Sequence, residues 1–83
     1  MIDLARTPKQ IGSAVRRARR TQMLSQTQLA ERAGLRQELI SKIERGSSGT
    51  RIEAICSLLA ALDLEFTIQS RTRVSDTRIE DIF

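Results

Sequence analysis

The 83 residues contain no histidine, no tryptophan and no tyrosine, and a single cysteine, Cys56. Without histidine and with one thiol, the chain has almost no ligands for a zinc site and no imidazole for acid–base catalysis. A lone cysteine also excludes an internal disulfide. No apolar run approaches the roughly 20 residues that a membrane span requires, and no charged-then-apolar leader precedes a cleavage site, so a cytoplasmic protein with no membrane partner is expected. No Gly-rich phosphate loop follows a strand, and no carboxylate pair sits on a cleft-forming element. An enzyme is therefore not expected, nor is a cofactor. A chain this short buries only about 60% of its unfolded surface on folding, which favours a dimer over a lone monomer.

What is present is positive charge, placed unevenly. Residues 1–51 carry 11 Lys and Arg against 4 Asp and Glu, a net +7, whereas residues 52–83 carry 3 against 6, a net −3. A basic segment of this kind suits phosphate binding, because each neutralised phosphate releases condensed counterions. A solvated face of arginines has the same composition, so the charge needs a motif beside it.

The motif lies in the helix signals. Thr7-Pro8-Lys9-Gln10 reads as a helix start: Thr7 is the N-cap, Pro8 the first helical residue, and Gln10 completes a capping box. Ile11, Ala14, Val15 and Ala18 then share one helical face as far as about Gln22, with Arg16, Arg17, Arg19 and Arg20 off that stripe. Ser25 and Gln28 repeat the capping box for a short second helix with Leu29, Ala30 and Ala33 inside, ending at Gly34. A third begins at Arg36-Gln37, with Ile40 and Ile43 inward and Gln37, Glu38, Ser41 and Lys42 outward, and stops at Gly46-Ser47-Ser48-Gly49. Thr50 and Glu53 form a third capping box for a fourth helix whose stripe is Ile52, Ile55, Cys56, Leu59 and Leu62; Cys56 is expected to be buried there.

Beyond it the period becomes alternating. Leu64, Phe66 and Ile68 fall on one side and Glu65, Thr67 and Gln69 on the other, a half-buried strand. The helical remainder offers it little to pair with, so it should pair with the same strand of a second copy, packing Leu64, Phe66 and Ile68 on the fourth helices. The rival is pairing with Ile2 and Leu4 of its own chain. The expected organisation is an arm at 1–6, a helical domain at 7–62, a dimerisation strand at 63–70 and a flexible tail at 71–83. Ile79, Ile82 and Phe83 in that tail have the pattern of a segment that orders on a partner.

Two short helices joined through a glycine, the second with an outward polar face, describe a helix-turn-helix whose second helix enters the DNA major groove. On that reading Gln37, Glu38, Ser41 and Lys42 approach base edges, while Arg36 and the backbone at Gln26 grip phosphate and Arg45 adds a cation. A Gln amide can pair bidentately with adenine, which makes Gln37 the principal reader. Glu38 costs binding near phosphates unless it accepts from cytosine.

Gln26, Ala30, Gly34, Ile40 and Ile43, and the segment Leu24 to Gly46 closing on Ile43-Glu44-Arg45-Gly46, resemble the Xre family of phage-type repressors. The four helices read above make the expected fold all-α, and the resemblance implies an ion pair between Arg19 and Glu44 and Gln26 bracing Gln37. Where those repressors carry a fifth helix this sequence has a strand, and the whole looks like the HipB-like antitoxins. That second resemblance implies a homodimer joined by an intermolecular two-stranded sheet. It also implies repression of the chain's own operon at an inverted-repeat operator, and binding of a HipA-like serine/threonine kinase toxin, with Ile79, Ile82 and Phe83 as possible contacts. A stand-alone regulator with no protein partner is the alternative.

Overall fold

The computed structural model describes residues 4–71 and contains four helices among them: α1 (Pro8–Thr21), α2 (Gln26–Ala33), α3 (Gln37–Glu44) and α4 (Ile52–Ala61). The all-α architecture is the expected one. α3 packs against both α1 and α2, and α2 against α4, around Val15, Leu29, Ala30, Ile40, Ile43, Leu58, Leu59 and Leu62. The core itself is purely apolar among the described residues. None of their helices is long and apolar enough to cross a membrane.

The helix starts follow the sequence signals in the first half of the chain. Thr7 Oγ1 accepts from the Gln10 amide at 3.1 Å, with Pro8 at the first helical turn, although Gln10 Oε1 bonds back to the Arg6 amide rather than to that of Thr7. Ser25 and Gln28 form the full reciprocal box at the start of α2, at 3.0 and 2.8 Å. Gly34 ends α2 in the left-handed region (φ 70°), where a Cβ would be strained, and Leu35 N donates to Ala30 O at 2.9 Å to turn the chain into α3.

α4 departs from expectation at two points. Its N-cap is Arg51, one residue after Thr50, with no side-chain capping bond. Its buried side is also rotated: Leu58, Leu59 and Leu62 are buried, whereas Ile52 is 64% exposed and Cys56 is exposed. The reason is that α4 is apolar on most of its circumference, so periodicity alone does not fix which face meets the core. On the helical wheel Leu62 lies between Leu58 and Leu59, and Cys56 lies beyond Leu59, outside the buried arc.

After α4 the chain turns at Asp63 (φ 59°), with Leu64 N donating to Leu59 O at 2.8 Å, and runs on without a β-ladder among the described residues. Leu64 and Phe66 are each 41% exposed and Ile68 fully exposed. Leu4, half of the rival pairing, is 52% exposed and unpaired by any ladder. Ile2 lies outside the described residues, as do Ile79, Ile82 and Phe83.

Candidate nucleic-acid interface

The close approach of α1 to α3 comes from Gly12. A Cβ there would lie 2.2 Å from the Ile43 carbonyl oxygen and 2.9 Å from that of Glu44, so only glycine lets the middle of α1 touch the end of α3. Sequence reasoning passed over this residue. The signal was available: a glycine inside a helix costs stability and is kept for close packing.

That contact sets Arg19 beside Glu44. The guanidinium donates from Nε to Oε2 at 2.6 Å and from Nη2 to Oε1 at 2.9 Å, a two-pronged pair, and its Nη1 donates to Leu24 O at 2.9 Å. The two side chains are 11% and 4% exposed. Burial pushes the Glu44 carboxyl up, but hydrogen bonds from Arg19 and Gln26 and the charges of Arg19 and Arg16 outweigh it and hold the pKa below its ordinary value. The hydrogen bond to Glu44 chiefly raises that of Arg19.

From Glu44 the chain of bonds runs outward. Gln26 Nε2 donates to Glu44 Oε1 at 3.1 Å, and Gln37 Nε2 donates to Gln26 Oε1 at 2.6 Å. Gln26 opens α2 and is half-buried; Gln37 opens α3 and is exposed. An exposed amide is thereby held from behind by three residues on three different helices, with its own carbonyl oxygen left to accept from outside.

The other expected site residues spread along the same helix. Arg36 is the exposed N-cap of α3, and Glu38 lies exposed in its first turn, where a carboxylate complements the helix dipole. Lys42 is exposed in the last turn. Ser41 is half-buried, and its hydroxyl accepts from Arg45 Nη1 at 2.7 Å, so these two outward residues engage each other. A cleft of about 280 Å³ opens beside Leu39 and Lys42, closed on its far side by Ser48, Thr50 and Arg51. The surface offered by α3 is thus polar and cation-edged, with the half-buried Leu39 as its large apolar side chain at the cleft.

The helix-turn-helix family matches residues 15–69, which span α2, the glycine turn, α3 and α4. The chain belongs to the Xre-type helix-turn-helix family of DNA-binding regulators. An HTH-type transcriptional regulator of Sinorhizobium fredii is 37% identical over 65 residues, which are 78% of this chain and 33% of that protein. The chain therefore spans about a third of the length of that curated relative. Among solved structures, the restriction-modification controller protein C.AhdI from Aeromonas hydrophila is 33% identical, with a TM-score of 0.65 over 70% of this chain and 84% of that one. A chain of the HipA-HipB-O2-O3 complex superimposes with a TM-score of 0.78, covering 86% of this chain and all of that one at 24% identity. At that identity the likeness is one of fold.

Proposed function

We propose that this Xre-type regulator is a homodimeric repressor that reads an inverted-repeat operator through α3 and is the antitoxin of a HipBA-like pair, autoregulating its operon and binding a HipA-like serine/threonine kinase. The observation that carries the DNA-reading part is Gln37, exposed at the start of α3 and fixed through Gln26 to the Arg19–Glu44 pair. A side chain whose rotamer is set in advance loses little entropy on meeting a base edge. Gln37, Glu38, Ser41 and Lys42 face the bases, and Arg36, Arg45 and the Gln26 backbone the phosphates. Arg45 leaves Ser41 as it turns to the backbone.

The dimer is supported by the exposed Leu64, Phe66 and Ile68 directly after α4, a run whose alternation suits an intermolecular strand. Two-fold symmetry then sets half-sites about 34 to 36 Å, or a multiple of one helical turn, apart. The antitoxin reading is supported by the HipB-containing complex, whose matched chain is covered from end to end. The stand-alone alternative is favoured by one observation, the higher identity to the controller protein C.AhdI.

Protection mapping of the DNA upstream of the chain's own gene tests the first part; an inverted repeat is the expected footprint, and a single unpaired half-site contradicts the dimer. Co-purification of the full chain from its native host tests the second. A kinase retained by the full chain but lost on truncation after Thr72 places the toxin contact in the tail with Ile79, Ile82 and Phe83. A chain recovered without any kinase, from a locus with no kinase gene, leaves the stand-alone regulator.

A further inference from the structure

α1 carries Lys9, Arg16, Arg17, Arg19 and Arg20 and no acidic residue. Arg19 is matched by Glu44. Arg16 and Arg20 stand four residues apart, a like-charge spacing that destabilises a helix by itself. A local conflict of this kind is retained where another gain compensates for it, most often binding.

Their position says what that gain is. Each helical residue turns the side-chain direction by about 100°. With Ile11, Val15 and Ala18 toward the core and Gly12 and Arg19 toward the end of α3, residues Lys9, Arg16 and Arg20 fall on the next edge round, away from the core. α3 turns Ile40 and Ile43 to the same core and Gln37 and Lys42 away from it. Two helices in direct contact over one core present their outer faces to one side, so the cationic edge of α1 continues the outer surface of α3.

α1 is also held against α3 at two points and against the turn after α3 at a third. Gly12 lies against the Ile43 and Glu44 carbonyls, and Arg19 grips Glu44. At the start of α1, the Cα of Lys9 would be 2.8 Å from a Cβ at Gly46, which itself sits at φ 83°. Arg16 stands near enough to Glu44 for its charge to act on that carboxylate.

We infer that Arg16 and Arg20, with Lys9 at the helix start, form a track for DNA backbone phosphates that flanks the groove entered by α3. The inference rests on the DNA-binding reading above and adds a second, sequence-independent contact region to it. Arginine suits the role because its planar fork matches phosphate oxygens and stays charged at every physiological pH. The track fixes the register of the chain on the duplex and leaves the choice of bases to α3.

The test uses the full chain, the double variants Arg16→Gln with Arg20→Gln and Arg16→Lys with Arg20→Lys, and Gln37→Ala. Each is titrated with a fluorescent random-sequence duplex and with the duplex upstream of the chain's gene, between about 50 and 200 mM salt. The Gln double variant is expected to weaken both duplexes in the same proportion. Its plot of log affinity against log salt should be shallower by about 1.8 per bound chain, at about 0.9 for each lost phosphate contact. The Lys double variant should keep the wild-type slope, which a purely structural role for the arginines does not require. An unchanged slope in the Gln double variant overturns the track, and is the result expected if the arginines dock an acidic protein instead. Selective loss in Gln37→Ala alongside that unchanged slope removes the track alone. Absence of wild-type binding to either duplex at low salt removes the DNA-binding reading and the track together.

Discussion

The stretch from Thr7 to Gly46 and the stretch from Ser47 to Arg71 are built to different degrees of completeness. In the first, α1 and α2 begin at side-chain caps, and Arg19, Gln26, Gln37 and Glu44 satisfy one another across three helices. Its one large exposed apolar residue is Met23. In the second, α4 begins, like α3, without a side-chain cap, and Ile52, Leu64, Phe66 and Ile68 are exposed. A single apolar residue in water is ordinary, but four within 17 positions are a surface awaiting cover. The half proposed to read DNA is finished within one chain; the other half carries the exposed apolar run that the proposed second copy would cover.

Substitutions can break or sharpen this contrast. The largest effect is expected from the glycines. Gly12→Ala forces a Cβ into backbone carbonyls that cannot step aside, and should cost about 3 kcal/mol in denaturant unfolding. Gly49→Ala meets nothing within 4 Å and should cost only about 1 kcal/mol, for its left-handed backbone (φ 85°).

Next is the Arg19–Glu44 pair. A double-mutant cycle should give a coupling between about 0.5 and 3 kcal/mol, and negligible coupling would make the pair an ornament of the surface. Because the Glu44 pKa is lowered in the folded state, its contribution is present above the ordinary carboxylate value of 4.5 and is lost as pH falls through the folded value. The stability gap between wild type and Glu44→Gln should therefore close below about pH 4.5. A gap constant down to pH 2 contradicts the linkage.

The caps give a smaller and sharper contrast. Ser25→Ala removes a reciprocal box and should lower stability by about 1 kcal/mol, whereas Thr50→Ala, outside the observed cap, should stay within about 0.5 kcal/mol of wild type. Equal losses at both would mean that Thr50 caps α4 after all. Smallest in its effect on the chain's own stability is Phe66→Asp. The side chain is 41% exposed, so unfolding of the monomer should shift by no more than about 0.5 kcal/mol while light scattering should report loss of the proposed dimer.

The legible part of the sequence was local and chemically marked. Capping residues, a turn glycine and a narrow apolar stripe each specify one arrangement, and α1, α2 and α3 came out where those signals put them. The resemblance to Xre repressors supplied the Arg19–Glu44 and Gln26–Gln37 pairings, which no spacing rule links because their partners lie 25 and 11 residues apart. α4 was misread in phase because Ile52, Ile55, Cys56, Leu58 and Leu59 are all apolar, and only packing against α2 chooses among them. The same richness hid Leu58, wholly buried, behind Cys56, which is exposed. Gly12 and the Ser41–Arg45 bond were legible only as a glycine inside a helix and as a pair four residues apart; which groups they meet, and how closely, is set by packing.

The central claim is that α3 reads DNA through an amide held in place by the helices behind it. Its most direct test compares Gln37→Ala with wild type on the operator duplex and on a duplex of random sequence at one salt concentration. The account predicts that the variant loses about 1 to 3 kcal/mol on the operator, roughly five- to 150-fold in affinity, with little change on random DNA. An equal loss on both duplexes, or none on either, would contradict it.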